Sequence, residues 1–147
     1  MHKLLMAMLI GALAPWSAAQ SGSASATFTV SARVAPRAAI QPHPGDARLA
    51  VSVADLERGE IELVLAYQAT SNDPRGFVLE VAPRLGFADA VVVELAGAQA
   101  VLTDTQLEFV QRDCARCELH IRYRVRLREG LAPGEYPLPW QVSARPI

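Results

Sequence analysis

Beyond Lys3 the sequence contains no lysine. Without lysine it cannot form the Lys–Asn isopeptide cross-links that stiffen some surface sandwich proteins. Cysteine is nearly as scarce, with only Cys114 and Cys117 present. Long apolar runs are missing as well: the stretch from Leu4 to Leu13 is too short for a bilayer, which takes about 20 residues. There is no HExxH, no GxSxG and no glycine-rich phosphate loop, so no motif points to a metalloprotease, a serine hydrolase or a nucleotide-binding protein. The formal net charge of −1 gives no whole-molecule attraction to nucleic acid or anionic lipid. No segment carries a capped apolar stripe of period 3.6, and there is no internal repeat, low-complexity block or linker.

The N-terminus is easy to read. Met1–Lys3 is a short basic start, the apolar run follows, and Ser17-Ala18-Ala19 offers the small residues a signal peptidase reads. Residues 1–19 are therefore expected to be a secretory signal, cleaved after Ala19 or alternatively after Ala26. Export would place the protein in the periplasm, outside the cell or on its surface, in an oxidising compartment, with no transmembrane segment in the mature chain. Residues 20–147 suffice for one domain with its own core. Residues 20–26 are rich in Ser, Gly and Ala and read as a flexible lead.

The rest is dominated by alternation. From Leu119 to Arg128 every second residue is apolar: Leu119, Ile121, Tyr123, Val125 and Leu127 against His120, Arg122, Arg124, Arg126 and Arg128. Side chains of a strand point to opposite faces with period two, so this is a half-buried β-strand. Pro133-Gly134 marks a turn, and a second alternation sets Tyr136, Leu138, Trp140, Val142 and Ala144 against Pro137, Pro139, Gln141, Ser143 and Arg145. The two are expected to lie side by side, as half of a sandwich core. Leu131-x-x-Gly134-x-Tyr136 is a candidate tyrosine corner. Shorter strands are expected at 26–34, 49–53, 61–67, 77–81, 91–95, 100–102 and 107–110, with prolines making 36–45 a loop or irregular edge. Asp55–Gly59 and Ser71–Gly76 read as turns. This succession predicts an all-β, Ig-like antiparallel sandwich. A complete domain would need one more strand after Ala144, so the last strand is expected to come from an earlier segment or from another molecule.

Chemistry has few places to reside. Cys114-Ala-Arg-Cys117 admits a redox dithiol, half a zinc site or a structural disulfide. Strand flanks, and only His43 and His120 as further histidine ligands in the mature chain, favour a disulfide clipping a hairpin tip, worth about 2 kcal/mol in the loop-entropy model. Arg122, Arg124, Arg126 and Arg128 form a basic row that could recognise phosphate, glycan sulfate or an acidic partner. The plainer expectation is cross-strand pairing with Glu60, Glu62, Glu80 or Glu108. No catalytic or metal-binding set emerges, so neither an enzyme nor a cofactor is expected.

Ile121-x-Tyr123-x-Val125, then Leu131-x-Pro133-Gly134-x-Tyr136, then an alternating C-terminal strand, resembles the pilin subunits of the chaperone–usher pathway. The likeness is greatest to the archaic branch and the related spore coat protein U domains. Ala26–Val34 and the stretch from Ser71-Asn72 to Gly76-Phe77 fit the same pattern. The resemblance implies an Ig-like fold lacking its last strand, with a hydrophobic groove filled first by a periplasmic chaperone and later by the next subunit's N-terminal extension. It implies a fimbrial, adhesive structural role, with a chaperone, an usher and like subunits as partners. Phe28, Val30, Ala32 and Val34 would then be donor-strand residues unless 26–34 is an internal strand. Tyr136, Leu138, Trp140 and Val142 would form the strand bordering the groove. The alternative is a self-contained periplasmic or cell-surface Ig-like binding or accessory module.

Overall fold

The computed structural model describes residues 27–45, 48–84 and 86–147. Residues 1–19, Ala26 and the Ser/Gly/Ala-rich lead lie outside them. The chain divides into two compact units between Arg33 and Val34. Of the first unit only 27–33 is described; these residues belong to no strand, and Phe28 and Val30 are largely exposed. Every strand described lies in the second unit, Val34–Ile147.

Alternation builds the two longest strands. In β8 (Arg116–Leu127) the five apolar residues from Leu119 to Leu127 are buried and the intervening arginines exposed. In β3 (Glu60–Ser71) Ile61, Leu65 and Tyr67 are buried while Glu60 and Glu62 face outward. The two pair antiparallel from Glu60↔Arg126 to Thr70↔Arg116. They form the centre of a five-stranded sheet, ordered β1-β3-β8-β5-β6, with β1 (Ala38–Pro42), β5 (Ala88–Leu95) and β6 (Ala98–Leu102). The edge strand β1 arises in the proline-rich stretch, where a strand with one unpaired side tolerates a missing donor.

Opposite lies a three-stranded sheet, β10-β4-β7, of β10 (Trp140–Pro146), β4 (Phe77–Pro83) and β7 (Leu107–Gln111). Phe77, Leu79 and Val81 are sealed in the core against Ile121, Tyr123 and Val125. The fold is thus an all-β sandwich of antiparallel sheets. Compared with an Ig domain, β1, β3, β8 and β5 stand where strands A, B, E and D do, and β4 and β10 where C and F do. Among the described residues, nothing stands beside β10 in the place of G.

Several expectations are corrected in detail. The two C-terminal alternations are not neighbours, because β8 and β10 belong to opposing sheets. The second is also two strands: β9 (Gly134–Pro137) pairs with β2 (Arg48–Val51), and the chain then re-aims through Leu138-Pro139 into β10. Pro139 is fully buried, and its carbonyl accepts from Arg84 N, which fixes the bend. The turn at 55–59 is a short helix, α1 (Val53–Arg58), which takes Val53 out of the strand expected at 49–53. Ser52 and Asp55 form a reciprocal capping box and Gly59 closes the helix at φ 71°. The Ser52 hydrogen bonds, with Arg58 adding to them, hold the Asp55 carboxyl below its ordinary pKa.

Tyr136 behaves as a tyrosine corner, its hydroxyl donating to Ala132 O at 2.7 Å. Its ring lies 4.8 Å from that of Phe87. Cys114 and Cys117 form a disulfide with a Cα–Cα distance of 5.8 Å. It does not clip a hairpin, since β7 and β8 are in different sheets. It fastens the crossover between them, and Ala115 O accepts from Ser71 N at the end of β3.

Candidate functional site

The candidate site is the seam between β1 and β10. Each is the edge of its own sheet, and the two lie next to each other without hydrogen-bonded pairing. On the β1 side Ala38 and Ile40 are half-buried; on the β10 side so are Val142, Ala144 and Pro146. Ala38, Ile40, Val142 and Ala144 pack against the core yet stay partly open to solvent. Edge strands with an apolar inner row and unpaired backbone are templates for a further strand.

Opposite anchors hold β10 in place. Outward, Arg145 Nε donates to Glu80 Oε1 at 2.6 Å and the same guanidinium reaches Glu108 at 3.2 Å. Ser143 Oγ donates to Glu80 Oε2 at 3.2 Å. These carboxylates raise the pKa of Arg145, Glu80 first. Inward, the Trp140 ring stacks on Tyr123 with centroids 3.9 Å apart, and Tyr123 OH donates to Tyr67 OH at 3.2 Å. Burial, with the neighbouring Tyr67 adding to it, pushes the Tyr123 hydroxyl far up, so it stays a neutral donor.

An open pocket lies at each end of the seam. At one end about 270 Å³ is lined by Pro42, Tyr67, Pro137, Leu138 and Trp140 among others. At the other about 610 Å³ lies between the start of β1 and Pro146. Next to that end Ser71–Gly76 is held by Asp73, whose covered carboxylate accepts from Arg75 N, Nε and Nη2 at 2.8–3.0 Å. That clamp lowers the Asp73 pKa and raises that of Arg75, which also donates to the main-chain oxygen of Ile147.

The residues proposed to border a groove therefore divide. Val142 lies half-buried in β10, Leu138 lies in the bend at the smaller pocket, and Trp140 is a core residue only 3% exposed. Tyr136 sits in β9, paired with Leu49. The proline signal had hidden one point: Pro137 and Pro139 precede β10 and Pro146 is its last strand residue, so Trp140–Arg145 keeps every backbone donor. Phe28, Val30, Ala32 and Val34 join no strand, and all four are exposed. Sequence reasoning left 36–45 as a loop or irregular edge because Pro36, Pro42 and Pro44 obscure its short apolar row; the structure makes 38–42 the edge strand β1.

The basic row lies on the outer face of the five-stranded sheet, away from the seam. Glu62 sits 3.4 Å from Arg122 and 4.0 Å from Arg124, and Asp89 sits 3.4 Å from Arg128. Glu80 and Glu108 pair with Arg145 on the other sheet instead, because each sheet carries its own outer charges. Glu60 stands opposite Arg126 in register, but no ion pair joins them among the described residues. Exposed pairs of this kind are worth about 0–1 kcal/mol. Replacing Arg122 and Arg124 with Gln should thus change thermal stability by no more than about 1 kcal/mol. A large loss of stability in a melting experiment would contradict this assignment.

His120 lies 3.1 Å from Glu118 on the same outer face, and His43 N donates to Ala66 O at the end of β1. No group of three His, Cys, Asp or Glu suited to a metal ion occurs among the described residues, nor any helix long and apolar enough to cross a membrane. The disulfide fits an oxidising compartment. No protein-family model matches the chain, and no curated protein matches it by sequence.

Proposed function

We propose that this chain is an exported, pilin-like structural subunit whose sandwich is completed by a strand from another molecule. The observation that carries this reading is the seam: β1 and β10 are edges of opposing sheets flanking one half-buried apolar row, with the seventh strand position vacant among the described residues. A strand laid along β10 would gain main-chain hydrogen bonds from the edge and seat alternate side chains between the sheets. The segment from Phe28 to Val34 has the right character, being extended in pattern, apolar at every second position and exposed. At about 3.3 Å per residue it matches the seven residues of β10, roughly 20 Å. A periplasmic chaperone would protect the seam after export, and an usher would bring the next subunit's segment to it.

The near approach of β1 to β10 and the satisfied core favour a second reading, a self-contained periplasmic or surface binding module. One experiment separates them. The protein starting at Gln20, produced without any chaperone, should elute as polydisperse assemblies in size-exclusion chromatography and melt without a sharp transition. A monodisperse monomer with a cooperative melt would end the subunit reading and leave the binding module.

A further inference from the structure

The larger pocket, at the Pro146 end of the seam, has a chemistry of its own. Its floor is apolar, from Ala38, Ala39, Ala115 and Pro146, and its cationic side chains are Arg37 and Arg116. No Asp or Glu lines it. Among the described residues neither arginine has an ion-pair partner.

Other polar groups in the pocket are already engaged. Asn72 Oδ1 accepts from Arg37 N at 2.6 Å and Asn72 Nδ2 donates to Ala35 O at 3.1 Å. The Ser71 hydroxyl donates to Gly76 O and accepts from Asp73 N. This leaves two guanidiniums and the exposed Thr70 as the groups able to meet a ligand. Both guanidiniums project from pinned backbone, Arg37 through the two-way bond with Asn72 and Arg116 inside the Cys114–Cys117 ring. Guanidiniums without a counter-charge suit a carboxylate or a phosphate, and on an unmodified peptide strand that group is the carboxylate of Asp or Glu.

The chain's own exposed segment does not supply one. Residues 20–37 include Arg33 and Arg37 but no Asp or Glu. We infer that the strand best suited to this seam belongs to a different protein and carries a carboxylate side chain at the end that lies beside Pro146. This rests on the open-seam reading proposed above and adds the partner's chemistry to it. Filling by a second copy would leave Arg37 and Arg116 uncompensated, so an acidic helper strand should hold this end of the seam more tightly than a second copy's segment does.

Peptides of the sequence Ala26–Val34, carrying an added Glu before Ala26 or after Val34, would be titrated onto the protein lacking residues 20–34, which keeps every described strand and whose seam no neighbouring copy can fill, and followed by fluorescence anisotropy. Matching peptides with Gln in place of the added Glu serve as controls. One Glu peptide should bind at least about threefold more tightly than its Gln control at low ionic strength. The end that needs the Glu reports the direction of the bound strand. The advantage should shrink as salt is raised and vanish in the Arg37→Gln/Arg116→Gln protein, whose affinity for the Gln peptide and melting temperature stay unchanged. Equal binding of Glu and Gln peptides would overturn the acidic preference while leaving the open seam standing. Absence of binding by every peptide would overturn both.

Discussion

Replacing Gly76 with alanine should lower the melting temperature by roughly 10 °C or more, a larger loss than at any other glycine among the described residues. Gly76 sits at φ 100° where the chain enters β4, a conformation that costs an L-residue about 1–2 kcal/mol. Sterics add to this. A Cβ at position 76 would stand 1.9 Å from Gln111 O and 2.9 Å from Arg112 Cα, both backbone atoms that cannot rotate away. Relief requires pulling β7 from β4 at the Phe77↔Gln111 pair, next to the fully buried Phe77. The combined cost is about 3 kcal/mol or more, a large share of the 5–15 kcal/mol that holds a typical domain. Gly97 is the matched control: its φ is 82°, but nothing lies within 4 Å of an added Cβ. Gly97→Ala should therefore cost only the backbone term. Thermal melting of both variants checks the pair, and equal losses would show that the close approach to Gln111 is not what matters at position 76.

Deleting residues 20–34 should abolish self-assembly completely while the sandwich stays folded. Residues 27–34 join no strand and contribute nothing to the buried core, which runs from Leu49 to Trp140. The first main-chain link retained is Ala35 O, which accepts from Asn72 Nδ2. Melting should shift by only a few degrees, the scale expected when no buried contact is lost. Light scattering should fall from polymer to monomer, because the seam remains but no copy carries a segment to fill it. A deletion that destroys the cooperative transition would make 20–34 a structural strand. A folded deletion that still polymerises would place the assembly contact elsewhere.

Much of this protein is legible from local pattern. Period-two alternation identified the buried rows of β8, β3 and β4 because a strand exposed on one side has no other way to satisfy both faces. The disulfide followed from there being only two cysteines, three residues apart, and the Tyr136 corner from a spacing tied to one backbone hydrogen bond. The helix at Val53–Arg58 escaped because its signal lies in caps, Ser52 with Asp55 and then Gly59, rather than in an apolar stripe.

What alternation leaves undetermined is which sheet a strand joins. Tyr136 to Ala144 reads as one continuous strand, yet Pro139 is buried in a bend that sends Gly134–Pro137 to β2 and Trp140–Pro146 to β4. Pairing is chosen by main-chain hydrogen bonds between residues far apart in the chain, and side-chain periodicity carries no record of the partner. The same limit holds for function. The sequence by itself determined an all-β sandwich with one disulfide and an outward row of arginines. Only the tertiary structure decided that Ala38–Pro42 and Trp140–Pro146 face each other as unpaired edges, and that Arg37 and Arg116 line one pocket at the end of that seam. A seam is made by two sheets packing face to face, so its residues become neighbours only when the core closes.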